Sequence, residues 1–213
     1  MHCFRYKMDH DYGLAPNPFG GTMSLAVCKG DIRKNKNLNI GDWIIGTGSK
    51  KLRLLNHLIY AMKVEKIITF DEYWNDPKYE FKKPVINGSL VQMYGDNIYH
   101  TDPTTNKVIQ EPCAHSLSTG MPNQDHLERD ARGRNVILSK HFYYFGDACP
   151  LVPKKIRKIC CPSRNYSYKD VDDAFIAKFV GWLEKTYTVG IHGDPVNWKE
   201  YHLPKLDIYD DGK

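Results

Sequence analysis

The apolar and polar positions along the first half of the chain predict short strands separated by dense turns. Residues 4–8 and 23–28 have strand composition, and 43–45 is a short apolar run between glycines, as in a buried strand. Residues 57–68 (HLIYAMKVEKII) alternate at period two and predict one long strand, although the Leu-Ile-Tyr-Ala-Met start also suits a helix. Asp71-Glu72-Tyr73-Trp74 predicts a short helical turn ending before Pro77. The clearest helix comes late: Asp170 is its expected cap, and Ile176, Phe179, Val180, Leu183 and Tyr187 keep helical spacing ahead of Gly190.

Between these parts, residues 85–135 are turn-rich, with short apolar runs only at 90–93 and 108–109. A stretch this long without a clear period is commonly functional or mobile, and it reads as an insert in a single domain spanning 1–213. Strand character returns over 135–145. Beyond Asp194 the chain carries Pro, Trp and Tyr and then turns acidic at Asp207, Asp210 and Asp211. The expected class is α+β and β-rich, with a long insert and a C-terminal helix.

Composition narrows the function classes. Apolar residues make up 41% and charged residues 26% of the 213, which excludes a disordered or collagen-like chain. No run approaches the roughly 18 apolar residues of a membrane span, and the start has no signal-like apolar stretch. A cytoplasmic protein with no membrane partner is therefore expected. The net charge of +5 is unevenly placed: residues 29–66 hold nine basic side chains against three acids, and 154–169 hold six and none. Such blocks suit an anionic partner, a nucleotide or nucleic acid, and equally suit a solvated lysine-rich surface. The six cysteines form no Cys-x-x-Cys pair, so reduced thiols and no metal are expected; His100, Cys113 and His115 come nearest to a zinc set.

Several residues could carry chemistry. Gly46-Thr47-Gly48-Ser49 resembles a phosphate-cradling loop, though it lacks the Walker spacing and also fits a strand-to-turn junction. Trp43, Tyr60, Tyr73, Trp74 and Phe19 can stack on a base or simply fill a core. Asp9-His10-Asp11 flanks an imidazole with carboxylates, the chemistry of an acid–base pair or of a capped turn. The segment from Gly95 to His100 brings Asp96, Asn97, Tyr99 and His100 within a few positions. Cys28, followed by Lys29, is a candidate nucleophile, because a neighbouring cation favours the thiolate; it also suits a buried strand end. The serine-hydrolase elbow, the zincin helix and the zinc-deaminase pattern are all absent.

Along Asp11-Tyr12-Gly13, Ala15-Pro16-Asn17-Pro18-Phe19-Gly20-Gly21, Leu25-Ala26, Cys28-Lys29, Gly41-Asp42-Trp43 and Tyr60-Ala61-Met62, the chain resembles the second type of nucleotide modification associated domain. Gly95-Asp96-Asn97-Ile98-Tyr99-His100 and Phe142-Tyr143-Tyr144-Phe145-Gly146 fit the same likeness, which runs over roughly residues 4–200. That family occurs in bacteria and phages and is associated with DNA base hypermodification, so the likeness implies a context rather than a reaction. Residues 41–64 are also similar to PUA-like modules, which implies a curved or barrel-like sheet able to hold a flipped base.

The resulting expectation is binding of a nucleotide or modified nucleobase, DNA being the favoured carrier. Asn17, Gly46, Thr47, Gly48 and Ser49 would meet phosphate or base edges, Trp43, Tyr60 or Trp74 would stack, and Lys50, Lys51 and Arg53 would steer the backbone. Two alternatives stand beside it. One is an enzyme using Asp11, Asp96 and His100 as acid–base groups with Cys28 as nucleophile; the other is a non-catalytic scaffold. No particular cofactor or oligomeric state is indicated.

Overall fold

The computed structural model describes residues 1–162 and 165–202. The acidic stretch at Asp207, Asp210 and Asp211, and Arg164 of the second basic block, lie outside the described residues. Two sheets carry the fold. In the larger, β1 (Cys3–Met8) runs parallel to β3 (Trp43–Gly48), β3 pairs antiparallel with β4 (Leu58–Lys63), and β4 with β9 (Phe142–Tyr144). A two-residue β10 (Gly190–Ile191) lies parallel to β9 at the far edge. The smaller sheet is antiparallel, in the order β2 (Met23–Leu25), β8 (Asn135–Ser139), β5 (Lys66–Thr69). A separate hairpin joins β6 (Tyr99–Thr101) to β7 (Val108–Gln110).

The class is therefore mixed and β-rich. Among the described residues no sheet closes into a barrel: β1 and β10 remain the two edges of the larger one. The long strand expected over 57–68 is two strands in two sheets, broken at Val64-Glu65, and 135–145 is broken in the same way at Lys140-His141. Both breaks sit at one corner. Val64 N donates to Asp42 O (2.7 Å), Glu65 N to Leu138 O (3.1 Å), and the Glu65 carboxylate accepts the amides of Lys140 and His141. Period-two patterning continues through such a bend, because successive side chains in each half still point to opposite faces; only the pairing partners change.

Burial follows from this corner. Phe4, Tyr6 and Met8 of β1, with Ile44, Tyr60, Met62 and Tyr144, pack one face of the larger sheet on Met23, Leu25 and Ile137 of the smaller. The opposite face buries Trp43, Ile45, Ala61 and Tyr143 beneath α5 (Asp173–Thr186), whose Ile176, Phe179 and Leu183 point inward. Burying each of these three side chains contributes about 1.5–3 kcal/mol. The helix starts later than expected: Asp172 caps it, its Oδ1 accepting from Phe175 N at 2.8 Å. Asp170 instead pairs with Arg5, which is wholly buried and also donates to Lys158 O at 2.6 Å.

The outer face of the smaller sheet is covered by the chain between 70 and 131. This stretch contains α2 (Phe70–Asn75), α3 (Leu90–Met93) and α4 (Gln124–Ala131); α1 (Gly30–Arg33) comes earlier, after β2, and α6 (Lys199–His202) closes the described chain. A reciprocal Thr69–Glu72 capping box starts α2. Tyr94, Ile98, Tyr99 and Cys113 of the turn-rich stretch are buried with Phe70, Tyr73, Val136 and Leu138, so this stretch supplies core. No helix among the described residues is long and apolar enough to cross a membrane.

Gly46-Thr47-Gly48, expected as a loop, continues β3. A Cβ on Gly46 would lie 2.5 Å from Met8 Sδ and closer still to the Tyr60 ring, whose hydroxyl meets that of Tyr6 at 2.9 Å. Packing density explains this glycine. Gly46→Ala should therefore lower unfolding free energy by roughly 1–3 kcal/mol, the usual cost of overpacking, as read by urea denaturation.

Candidate functional site

The inward end of β1, the turn-rich loop after it and the end of α4 enclose a cleft of about 570 Å³. Its wall includes Asp9, His10, Asp11, Cys28, His115 and Arg129. Beyond β2 the backbone turns sharply: Cys28 and Lys29 both have positive φ, 53° and 42°. Such conformations cost on the order of 1–3 kcal/mol in a non-glycine residue and persist only when the surroundings impose them. Arg33 imposes this one. Its Nε donates to Cys28 O (2.8 Å), Nη1 to Asn135 O (2.8 Å) and Nη2 to Asp130 O (2.9 Å). Gly30 lets α1 lie against α4, since a Cβ there would come 3.1 Å from Arg129 O.

The turn presents the Cys28 thiol to an imidazole. Sγ lies 3.9 Å from His115 Nε2, and His115 Nδ1 lies 3.6 Å from Asp130 Oδ2. Asp130 is fully buried and accepts from Tyr99 Oη (3.1 Å) and Arg129 Nε (3.3 Å). Arg129 Nη2 also reaches within 3.9 Å of Cys28 Sγ. Burial pulls the His115 pKa down, but the adjacent Asp130 carboxylate and Cys28 thiol outweigh it and lift the group to about 9. Asp130 runs the other way: burial would raise it, yet His115, the Cys28 amide and the two arginines hold it near 2. The thiol, imidazole and carboxylate offer ligand-type atoms all within 4.8 Å of one another, close enough to hold a cation. However, the thiol faces one ring nitrogen and the carboxylate the other, which is the order of a proton relay.

A second depression of about 660 Å³ shares Tyr6, Lys29 and Arg129 with the first and extends to Arg132, Tyr166 and Lys169. Lys29 Nζ sits 4.1 Å over the Tyr6 ring. Tyr166 and Tyr168 stack on Phe4 at 6.1 and 4.6 Å between centroids. Burial depresses the Lys29 pKa, and burial with the nearby Lys29 and Lys51 charges depresses that of His10. The joined cleft is electropositive and aromatic.

Of the expected residues, Asp9, His10, Asp11, Cys28 and Lys51 line the first cleft. Asp11 is nearly fully buried; its carboxylate accepts from Tyr144 Oη at 2.8 Å and from the amides of Val196 and Gly13. Burial, only partly offset by those bonds, raises its pKa. The others lie elsewhere. Asn17 is buried, accepting from Lys82 Nζ at 2.6 Å and donating to Tyr94 O at 2.9 Å. Asp96 is wholly buried and accepts from Tyr73 Oη at 2.8 Å. His100 stacks on Trp74 at 4.2 Å and pairs with Glu111 at 2.7 Å. Trp43 and Tyr60 are core residues, and Thr47, within β3, reaches Tyr6 O at 3.4 Å. Ser49 accepts from Lys51 N at 3.2 Å, and Gly48 packs on Leu54; Lys50 and Arg53 are exposed and line neither depression. The zinc-like trio disperses as well: Cys113 lies against Gln110 and Ser116, while His115 turns to Cys28.

Cys28 and His115 each carry a signal in the sequence, but for different chemistries. Asp130 and Arg129 carry none, because a charged Gln-Asp-His-Leu-Glu-Arg-Asp-Ala helix reads as a solvated face. Only the packing of α4 on α1 turns one of its carboxylates inward.

Fold and cleft together define a mixed α/β protein with a basic, aromatic-lined cleft and a thiol–imidazole–carboxylate cluster in its wall. The chain belongs to the nucleotide modification associated domain 2 family, whose family model matches residues 1–202. No curated protein and no solved structure matches it significantly.

The His115–Asp130 pair predicts a pH dependence of stability. His115 is raised from 6.5 to about 9, so its contribution is complete below about pH 6.5 and is lost as pH rises through 9. Asp130 is depressed from 3.8 to about 2, so its contribution holds above 3.8 and fades as pH falls through 2. The stability difference between the native chain and His115→Gln should therefore shrink between pH 6.5 and 9 in urea titrations.

Proposed function

We propose that the joined cleft binds a nucleotide or modified nucleobase in a DNA base-modification context of bacteria or phages. The observation that carries this reading is the pairing of cations with half-buried aromatic rings around one cavity: Lys29, Arg129, Arg132 and Lys169 beside Tyr166 and Tyr168. The ammonium and guanidinium groups supply charge-assisted bonds to phosphate, and a planar ring supplies a stacking surface for a base. Cavities of a few hundred Å³ are the size that encloses small ligands. Family membership points to the same ligand class. DNA as the carrier of the base is the finer part of the proposal, in keeping with the basic blocks at 29–66 and 154–169.

Calorimetric titration with nucleoside monophosphates and with short single- and double-stranded DNA tests this reading. Lys29→Ala and Arg132→Ala should each weaken nucleotide affinity by about fivefold to tenfold, near 1–1.4 kcal/mol. Affinity for DNA should fall steeply with added salt as counterions are displaced. Unchanged affinity in both variants, or no binding to any probe, would remove the cleft from the function.

A further inference from the structure

We infer that Cys28, His115 and Asp130 form a thiol acyl-transfer centre acting on an amide- or ester-linked substituent of the nucleotide held in the cleft; the choice of substrate rests on the nucleotide reading above. Three independent features of the structure meet here. The thiol sits at a turn held at positive φ, between a strand and a helix, and opens into the cleft. The imidazole touches the thiol with Nε2 while its Nδ1 faces a buried carboxylate, which orients the ring. Arg129 reaches both the sulfur and that carboxylate, placing a fixed cation where negative charge develops.

The proton and electron inventory closes with these groups and water alone. With the proton already on His115 Nε2, the Cys28 sulfur lone pair forms a bond to the acyl carbon. As the tetrahedral adduct collapses, the carbon–nitrogen or carbon–oxygen bond breaks, and the leaving amine or alkoxide receives that proton from His115. Water, deprotonated by the same nitrogen, then attacks the thioester; the carbon–sulfur bond breaks, His115 passes that proton to the sulfur, and the carboxylic acid departs. No oxidant or reductant is consumed. Asp130 touches no reacting atom and is a positioning residue.

The test uses p-nitrophenyl acetate as the acyl donor on the full chain. Rapid mixing should release a burst of p-nitrophenolate matching the protein concentration. Peptide mapping should then place one acetyl group on the peptide that contains Cys28 rather than on the other five cysteines. Cys28→Ala should abolish the burst, and His115→Ala should slow it by roughly a hundredfold, in the range of general-base contributions. Added imidazole should restore much of the rate in His115→Ala, which a structural role would not allow. Asp130→Asn should shift the His115 imidazole nitrogen resonances as the proton redistributes between ring nitrogens; should that variant unfold, His115→Gln and Cys28→Ser carry the comparison.

Acetyl spread evenly over the cysteines, a native rate in His115→Ala, or one equivalent of zinc shielding Cys28 from iodoacetamide until a chelator removes it would each overturn the inference. In parallel, N4-acetylcytidine monophosphate should be cleaved to cytidine monophosphate and acetate, and its survival despite Cys28 acetylation would overturn the substrate class. Nucleotide binding without Cys28 acetylation defeats this inference alone. Acetylation without nucleotide affinity defeats the nucleotide reading and leaves the thiol centre standing.

Discussion

A single buried guanidinium holds together the parts on which the cleft depends. Arg33, 1% exposed, gives one donor each to the carbonyls of Cys28, Asp130 and Asn135. These residues belong to the turn after β2, the end of α4 and the start of β8, which are otherwise far apart in the chain. Burying a guanidinium is costly, and burial does lower its pKa; the Asp130 carboxylate beside it is the main compensation. The same carboxylate orients His115. The interaction that holds this corner of the fold is thus also the one that places the imidazole against the thiol.

The charges of the cleft follow from this arrangement. Cations outnumber anions around the cavity, and two of the carboxylates near it are already engaged, Asp130 by His115 and arginines and Asp11 by Tyr144 and backbone amides. Of these cations Lys29 is half-buried, where a charged contact is worth more than on an open surface, while Lys51 and Arg129 are exposed. Burial is the main cause of the depressed pKa of Lys29 and His10, with the neighbouring cations adding to the shift at His10, while Asp9 pulls both upward. Strain at Cys28 and Lys29 is sustained because Arg33 bonds the turn from below while α4 packs against Gly30.

A second polar network supports the loop after β1 from behind. Lys82, almost wholly buried, donates to Asn17 O at 3.0 Å and to Asn17 Oδ1 at 2.6 Å, and burial lowers its pKa to about 8. Asp96 lies near enough to counter that shift. Polar residues that look like site chemistry in a linear reading thus serve to satisfy a buried loop, because an unbonded carbonyl there would cost about 1–3 kcal/mol.

The sequence by itself determined the local elements and the family. Residues 4–8, 43–45 and the late helix carry their periods plainly, and the Thr69–Glu72 box starts its helix where side-chain chemistry requires. Tertiary structure decided everything that depends on long-range pairing. It split two alternating runs at one corner, moved the helix cap from Asp170 to Asp172 because Arg5 claims Asp170, and placed Gly46 against Tyr60 and Met8. It also gathered Cys28, His115 and Asp130 from a turn, a loop and a polar helix. Spacing along a chain reports period and local capping; it carries no signal for three side chains separated by 87 positions from Cys28 to His115 and a further turn of packing to Asp130. That meeting exists only once α1 and α4 pack through Arg33.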